Sequence, residues 1–338
     1  MEIRKIYNYI ILLVVSLSFY GCSDDDANLI STNFYYLTEE SEITEKDTPN
    51  NSLNPSAIFT ANEKLYICNG NELLVYDAIN YSLITSITKF KKGNTEIALN
   101  ALTSINIHDG KIYLGSQESR LFVFDQETYE GITFLGNGQW WQTFVHVFGV
   151  AVSDELLFVK EKNNSIKVFE TIAINEDTPW NLKPIAKLTT TTGGTENFNL
   201  KIEDGNLVIA GRNANSYLYY NFNSIKSNAA KSLENEEGVI KPRIYSLNQN
   251  KPIALAFDDQ WAISIEESSG TKYIKMFPKQ DFMFMKYDPV ISNPNAIGQP
   301  NFQDITDISK NGDIVFVSDK TNKRIQILRL RSSKIQEK

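Results

Sequence analysis

Side chains able to do covalent chemistry are few in this chain. Its 338 residues hold two histidines, His108 and His146, and two cysteines, Cys22 and Cys68. Two imidazoles cannot furnish a zinc site that needs three. No Gly-x-Ser-x-Gly elbow, phosphate-cradling glycine loop or histidine cluster occurs. What remains suits binding better than bond breaking. Asn54, Asn100, His146, Asn197 and Asp304 each stand just ahead of a short apolar run. If those runs line an axis, the five form a mouth of amides, one imidazole and one carboxylate. Such a mouth holds water, a cation or a polar ligand, or is simply hydrated. Trp140 and Trp141 adjoin in GNGQWWQ (136–142). Neighbouring side chains on an extended chain point to opposite sides, so both indoles cannot share one buried face. Either one faces outward, ready for a sugar ring or a protein hot spot, or one plugs the axis while the other packs beneath its loop.

The elements that would position these residues repeat along the chain. Six related units read NEKLYICNGNELLVYD (62–77), DGKIYLGSQESRLFVFD (109–125), SDELLFVKEKNNSIKVFE (153–170), DGNLVIAGRNANSYLYYN (204–221), DDQWAISIEESSGTKYIKMF (258–277) and NGDIVFVSDKTNKRIQIL (311–328). Each has a tight turn, an apolar β-prone run, a polar loop and a second alternating run. Equivalent positions recur every 44 to 54 residues, counted from Leu65, Ile112, Leu156, Leu207, Trp261 and Ile314. A period of that size with several strands per unit marks a propeller blade. An inner strand precedes each turn, at 57–59, 105–107, 150–152, 200–202, 255–257 and 305–308. Outer strands follow five units, at Leu83–Ile87, Gly131–Leu135, Pro184–Leu188, Ile240–Leu247 and Phe282–Tyr287. None follows the sixth, whereas NFYYL (33–37) precedes the first with no unit of its own. Pairing those two removes an exposed sheet edge. The expectation is an all-β, six-bladed β-propeller over residues 33–331, closed by an N-terminal strand that completes the last blade, with 332–338 as a tail.

The units support this by resemblance. The sixth is similar to the repeat of NHL-type six-bladed propellers, through Asp319, Asn322, Arg324 and Ile325. The second resembles a quinoprotein-type blade, with DGKIY leading to LFVFDQET. These are strand-packing signatures and specify fold rather than function. Some six-bladed propellers of the lactonase kind hold calcium at the channel mouth with Asn, Asp and Glu. That resemblance implies Asn100, Asn197 and Asp304 as its ligands here, in a metal-assisted hydrolase or lyase. Matched blade positions offer no carboxylate pair for acid–base work.

Blade geometry sorts the loops onto two ends. The turns between first and second strands are short, so one end is trimmed. The blade-to-blade connectors share the other end and are long: 89–100, 136–146, 189–199 and 288–303. Long loops on a rigid scaffold are where binding concentrates. The lysine run KFKKG (89–93) reads as a solvated loop. Trp180, between the third and fourth strands of its blade, is expected at the trimmed end, away from Trp140 and Trp141. His108 reads as an exposed turn residue, and Cys68 as a small buried side chain between blades.

The N-terminus gives an address. Met1–Lys5 is basic and Ile6–Tyr20 mostly apolar, the pattern of an export signal too short to span a bilayer. FYGCSDDD (19–26) follows. Gly21 before Cys22 resembles the bacterial lipoprotein cleavage box, in which the cysteine becomes the new N-terminus and carries acyl chains. Two or three such chains anchor stably where one does not. Asp24, Asp25 and Asp26 resemble the export tag of surface lipoproteins in a large group of Gram-negative bacteria. The resemblance implies a signal peptide at 1–21, lipidation at Cys22, an acidic tether at 22–32 and an outer-membrane, outward-facing location. Residues 38–54 read as a further polar spacer. With Cys22 acylated, Cys68 has no disulfide partner. The net charge is -8 with no extended Lys/Arg stripe, which argues against nucleic acid as a partner. The sequence therefore favours a non-catalytic binding propeller, engaging a glycan or an outer-membrane protein through its long loops, over the calcium enzyme.

Overall fold

The computed structural model describes residues 31–139, 143–162, 165–190, 199–211, 215–234, 240–247, 250–284 and 302–336. Residues 35–331 form one compact unit, and the following concerns that unit. It is a six-bladed β-propeller of antiparallel sheets. Blade one comprises Pro55–Ala61, Lys64–Asn69, Glu72–Asp77 and Leu83–Ile87. Blade two comprises Leu102–His108, Lys111–Ser116, Arg120–Asp125 and Gly131–Leu135. Blade three comprises Val147–Val152, Leu156–Glu161, Ser165–Glu170 and Ala186–Thr189. Blade four comprises Asn199–Glu203, Asn206–Gly211, Ser216–Asn221 and Arg243–Ser246. Blade five has Lys251–Phe257, Trp261–Ser268 and Thr271–Pro278. Blade six has Ile305–Asn311, Ile314–Asp319 and Arg324–Gln336, and its fourth strand is the N-terminal Ser31–Thr44. The ring closes as the unpaired NFYYL implied.

Alternation explains why second strands read as unbroken apolar runs. In blade three, Leu156 and Phe158 pack toward blade four, whereas Leu157 and Val159 pack toward blade two. Both faces of a blade are buried, so both parities must be apolar. One irregularity recurs in the inner strands. The register slips between Pro55 and Ala57, Leu102 and Ser104, Val147 and Gly149, Pro252 and Ala254, and Ile305 and Asp307. A bulge leaves its extra residue free to point elsewhere. In three blades that residue is a hydroxyl, and it donates to the carbonyl that opens the next blade. Thr306 Oγ1 donates to Pro55 O at 3.1 Å, Ser56 Oγ to Leu102 O at 2.7 Å and Thr103 Oγ1 to Val147 O at 2.7 Å.

Three expectations change. Residues 38–54 are no spacer: the closing strand runs on to Thr44, and Ile43 and Leu53 are buried in the core between blades six and one. Ion pairs, which need polar residues, are what made this strand look like tether. Glu40 receives Arg329 through two hydrogen bonds of 2.9 and 2.7 Å, and Glu45 pairs with Lys323 at 2.8 Å. The run KFKKG (89–93) is not a solvated loop either, although Lys89 and Lys91 are exposed. Lys89–Lys92 and Thr95–Ala98 form a hairpin that packs on the outer strand of blade two. Its anchor is Phe90, fully buried among Phe122, Phe124 and Phe134 at centroid distances of 5.7, 5.4 and 5.6 Å. Burying that ring contributes roughly 1.5–3 kcal/mol. Gly131 makes room for it, since a Cβ there would stand 2.4 Å from the Phe90 ring. Finally, the outer strand expected at 282–287 begins instead as a helix, Lys279–Met283. The helical turn drives Phe282 into the interface of blades four and five, against Tyr217 and Phe277. Residues 285–287 lie outside the described residues.

Candidate functional site

The long connectors meet the most polar structure at the turn Gln117–Arg120 of blade two. Asn100 reaches it from one side: its Nδ2 donates to Glu118 Oε2 at 3.3 Å, and its carbonyl accepts Ser116 Oγ at 2.6 Å. His146 reaches it from the other. Its backbone N–H donates to Ser119 Oγ at 3.2 Å, and its ring Nδ1 meets the Gln117 carbonyl. A carbonyl only accepts, so Nδ1 carries the proton in this contact. Arg120 lies beneath, 3.6 Å from Glu118, with Nη2 donating to Asn137 O at 3.0 Å. The segment 136–139 folds over this pair. Gly136 and Gly138 have φ of +79° and +84°, and Cβ atoms there would stand 2.1 Å from Ser119 O and 2.5 Å from the Arg120 guanidinium. Only glycine fits both.

Two of the residues singled out from sequence thus share one turn. They do not share one ring position. His146 and Ala101 both adopt left-handed backbone, and each donates its N–H to a side chain of the preceding turn, Ser119 for one and Asn71 for the other. Asn100 is therefore offset by one residue from His146. Asn54 lies on blade one, its N–H on Asn69 Oδ1 at 2.5 Å. Asp304 lies on blade six, its N–H on Asp319 Oδ1 at 3.0 Å. Cys22, Trp140, Trp141 and Asn197 lie outside the described residues.

Trp180 is a correction. The stretch between the third and fourth strands of blade three, 171–185, is far longer than its counterparts in blades one and two. It starts at the trimmed end, where Thr171 N–H bonds Glu155 O. It then climbs the outer edge of blade two. Lys111 Nζ donates to Ile174 O at 3.2 Å, Thr133 Oγ1 to Thr178 O at 3.2 Å, and Gly136 N to Trp180 O at 2.7 Å. Thr143 Oγ1 bonds the same carbonyl at 3.5 Å. Trp180 therefore sits beside the 136–146 connector, 38% exposed. Its chain topology alone suggested the trimmed end, but the length of the insertion carries it across.

Buried carboxylates tie down the same end of the blades. Glu161 accepts Val145 N at 2.8 Å and Lys167 Nζ at 3.0 Å. Glu266, fully buried, accepts Lys275 Nζ at 2.7 Å and Asn250 Nδ2 at 3.0 Å. Asp319, also fully buried, lies 3.7 Å from Arg324. Beside Glu161, burial pushes the Lys160 ammonium down to about 8, against the attraction of Glu161.

The axis itself is nearly filled. A cavity of about 30 Å³ is lined by Ser56, Thr103, Asn199, Lys201 and Asp307 among others, room for a water or so. Asp307 accepts Ile58 N at 3.0 Å, Ile308 N at 2.8 Å and Asn199 Nδ2 at 2.5 Å, with Lys201 Nζ 3.6 Å away. Asn199 Oδ1 accepts Leu255 N at 3.1 Å. This network joins blades one, four, five and six, and it is a staple with its charge already matched. Cys68 is fully buried, and burial, then Asp307, pushes its thiol far above the usual range, which leaves no thiolate for chemistry. His108 is not free in its turn: its Nε2 meets Asp154 Oδ1 of blade three at 2.9 Å.

Solved structures share this fold at very low sequence identity. The chain is similar to the β-propeller domain of Cps50 (Swd1) from Myceliophteria thermophila, with a TM-score of 0.54, 8% identity, and 87% of this chain and 99% of that one covered. It is similar also to a chain in the crystal structure of a mitotic checkpoint complex, with a TM-score of 0.53, 10% identity, and 91% and 94% covered. At such identity the likeness shows fold alone. No family model and no curated protein matches the sequence.

Proposed function

We propose that this protein is a surface-anchored lipoprotein whose propeller binds a glycan or a protein partner through its connector end, without catalysis. The observation that carries the reading is the cluster at Gln117–Arg120. There two connectors and the blade-three insertion converge on amides, an Arg–Glu pair and an exposed indole. Rigid scaffolds present binding groups in this way. Propellers serve widely as scaffolds, and one similar chain sits in a multiprotein complex. The anchor rests on Gly21-Cys22 and the aspartates after it. Fractionating the host after Cys22→Ala tests the anchor: release from the membrane is expected, and full retention contradicts it. A glycan array and a pull-down from outer membranes test the binding, and silence in both sinks it.

The calcium-assisted hydrolase gains no supporting observation. Asn100 Nδ2 is given to Glu118, and the ammonium of Lys201 already stands beside the axial Asp307. Stoichiometric calcium in the purified protein would reverse this preference.

A further inference from the structure

The 171–185 insertion makes one unusual excursion and ends it with an exposed indole. Its chain direction would have left Trp180 at the trimmed end. Instead it traverses blade two and is fastened there by Lys111, Thr133, Gly136 and Thr143, all through backbone carbonyls of the insertion. Four such bonds fix the position of Trp180 without using its side chain. Ile174 and Leu182 supply the apolar grip, the first buried in the core between blades two and three and the second packed against it. Neither needs an aromatic residue at 180. A tryptophan fixed by its backbone and 38% exposed leaves part of its indole open to solvent.

Its surroundings have one chemical character. The adjoining segment presents Asn137 and Gln139, ordered by Gln139 N donating to Asn137 Oδ1 at 3.0 Å and Asn137 Nδ2 to Gln139 Oε1 at 3.5 Å, the latter a long bond that a ligand hydroxyl can replace. Gln139 is exposed, while Gly136 and Gly138 let the segment lie close over Ser119 and Arg120. A part-exposed indole, on a segment whose carbonyl is bonded to Gly136 two residues before exposed Gly138 and Gln139, suits a neutral sugar. The C–H face of the ring lies on the indole, and its hydroxyls exchange hydrogen bonds with groups that both donate and accept. A charged ligand would find Arg120 and Glu118 already engaged with each other and with Asn100 and Asn137.

We propose that Trp180, with Asn137 and Gln139, forms a sugar-binding subsite for a neutral glycan. The proposal rests on the binding function given above and names its ligand class. The test is calorimetric titration of the purified chain with cello-, manno-, xylo- and maltohexaose, repeated for Trp180→Ala, Trp180→Phe and Gln139→Ala. The proposal expects at least one hexaose to bind. Trp180→Ala then weakens it about tenfold or more, Trp180→Phe retains part of the affinity, and Gln139→Ala costs a few-fold. Unchanged melting temperatures show that the variants fold. Binding that ignores Trp180→Ala overturns the subsite while the glycan-binding function stands. No binding by any hexaose, with a protein captured from outer membranes, overturns the subsite and leaves only the protein arm of that function. No binding in either assay overturns both.

Discussion

The two ends of this propeller hold together differently. At the trimmed end, neighbouring blades grip one another. Asn62 bonds Gln126 at 3.4 Å between blades one and two, and His108 meets Asp154 between two and three. Glu155 pairs with Lys226 between three and four, and Glu203 with Lys279 at 2.8 Å between four and five. Asp258 pairs with Lys310 between five and six, and Thr60 bonds Ser309 at 2.8 Å between one and six. Every junction has a latch. At the connector end, the buried carboxylates Glu161, Glu266 and Asp319 organise blades three, five and six, and the bonds between blades run to backbone or into the core: Ser56 to Leu102 O, Thr103 to Val147 O, Thr306 to Pro55 O and Tyr217 to Glu266. The difference separates two tasks. The trimmed-end latches join side chains at or beside the short turns, and the connector-end bonds lie on the strands, so the connectors themselves can vary in length without loosening the ring.

The contrast predicts unequal costs. The largest should follow Glu266→Ala, which leaves half-buried Lys275, Asn250 and buried Tyr217 without their shared acceptor: about 3–5 kcal/mol of unfolding free energy in a denaturant titration. Replacing Glu266 and Lys275 together by methionine should recover part of that loss. Lys160→Met should come next, and it should stabilise. The Lys160 ammonium titrates near 8 when folded against about 10.5 when unfolded, so below pH 8 the fold bears the full burial penalty. Between pH 8 and 10 the unfolded chain binds more protons, and stability should rise with pH. Melting temperatures across that range should climb in the wild type and flatten in the variant. At the trimmed end, Lys279→Met should cost no more than about 1 kcal/mol, because its latch is partly solvated. The smallest effect should be at the closing strand. Arg329 holds the Glu40 carboxyl below its usual range, so this contribution is full above about pH 4.5 and is lost as pH falls through the lowered value. Glu40→Gln should shift the melting temperature slightly at low salt and not at all at 1 M salt.

Much of the ring was legible because blade packing writes itself into sequence. Second strands buried on both faces must be apolar throughout, and tight turns need Asn, Asp and Gly. The unpaired NFYYL gave the closure for the same reason: an edge needs a partner. Less legible was whatever depends on contacts between distant segments. Phe90 looks like part of a lysine loop until Gly131 is seen to leave room for its ring. FMFM at 282–285 is a short apolar run that fits a strand, yet Phe282 is wanted inside an aromatic cluster. Of the candidate site, the connector carrying Asn137 and His146 could be found from its length. Trp180 could not be placed, although the length of the 171–185 insertion was a signal. Arg120 and Glu118 carried none, since an Arg–Glu pair in a turn resembles any solvated turn.

Hydroxyl-radical footprinting tests the central claim most directly. The chain would be footprinted alone and with a detergent extract of outer membranes. Protection of His146 and Trp180, with His108 and Trp261 at the trimmed end unchanged, is the predicted result. Protection at His108 and Trp261, with Trp180 still fully reactive, would contradict it.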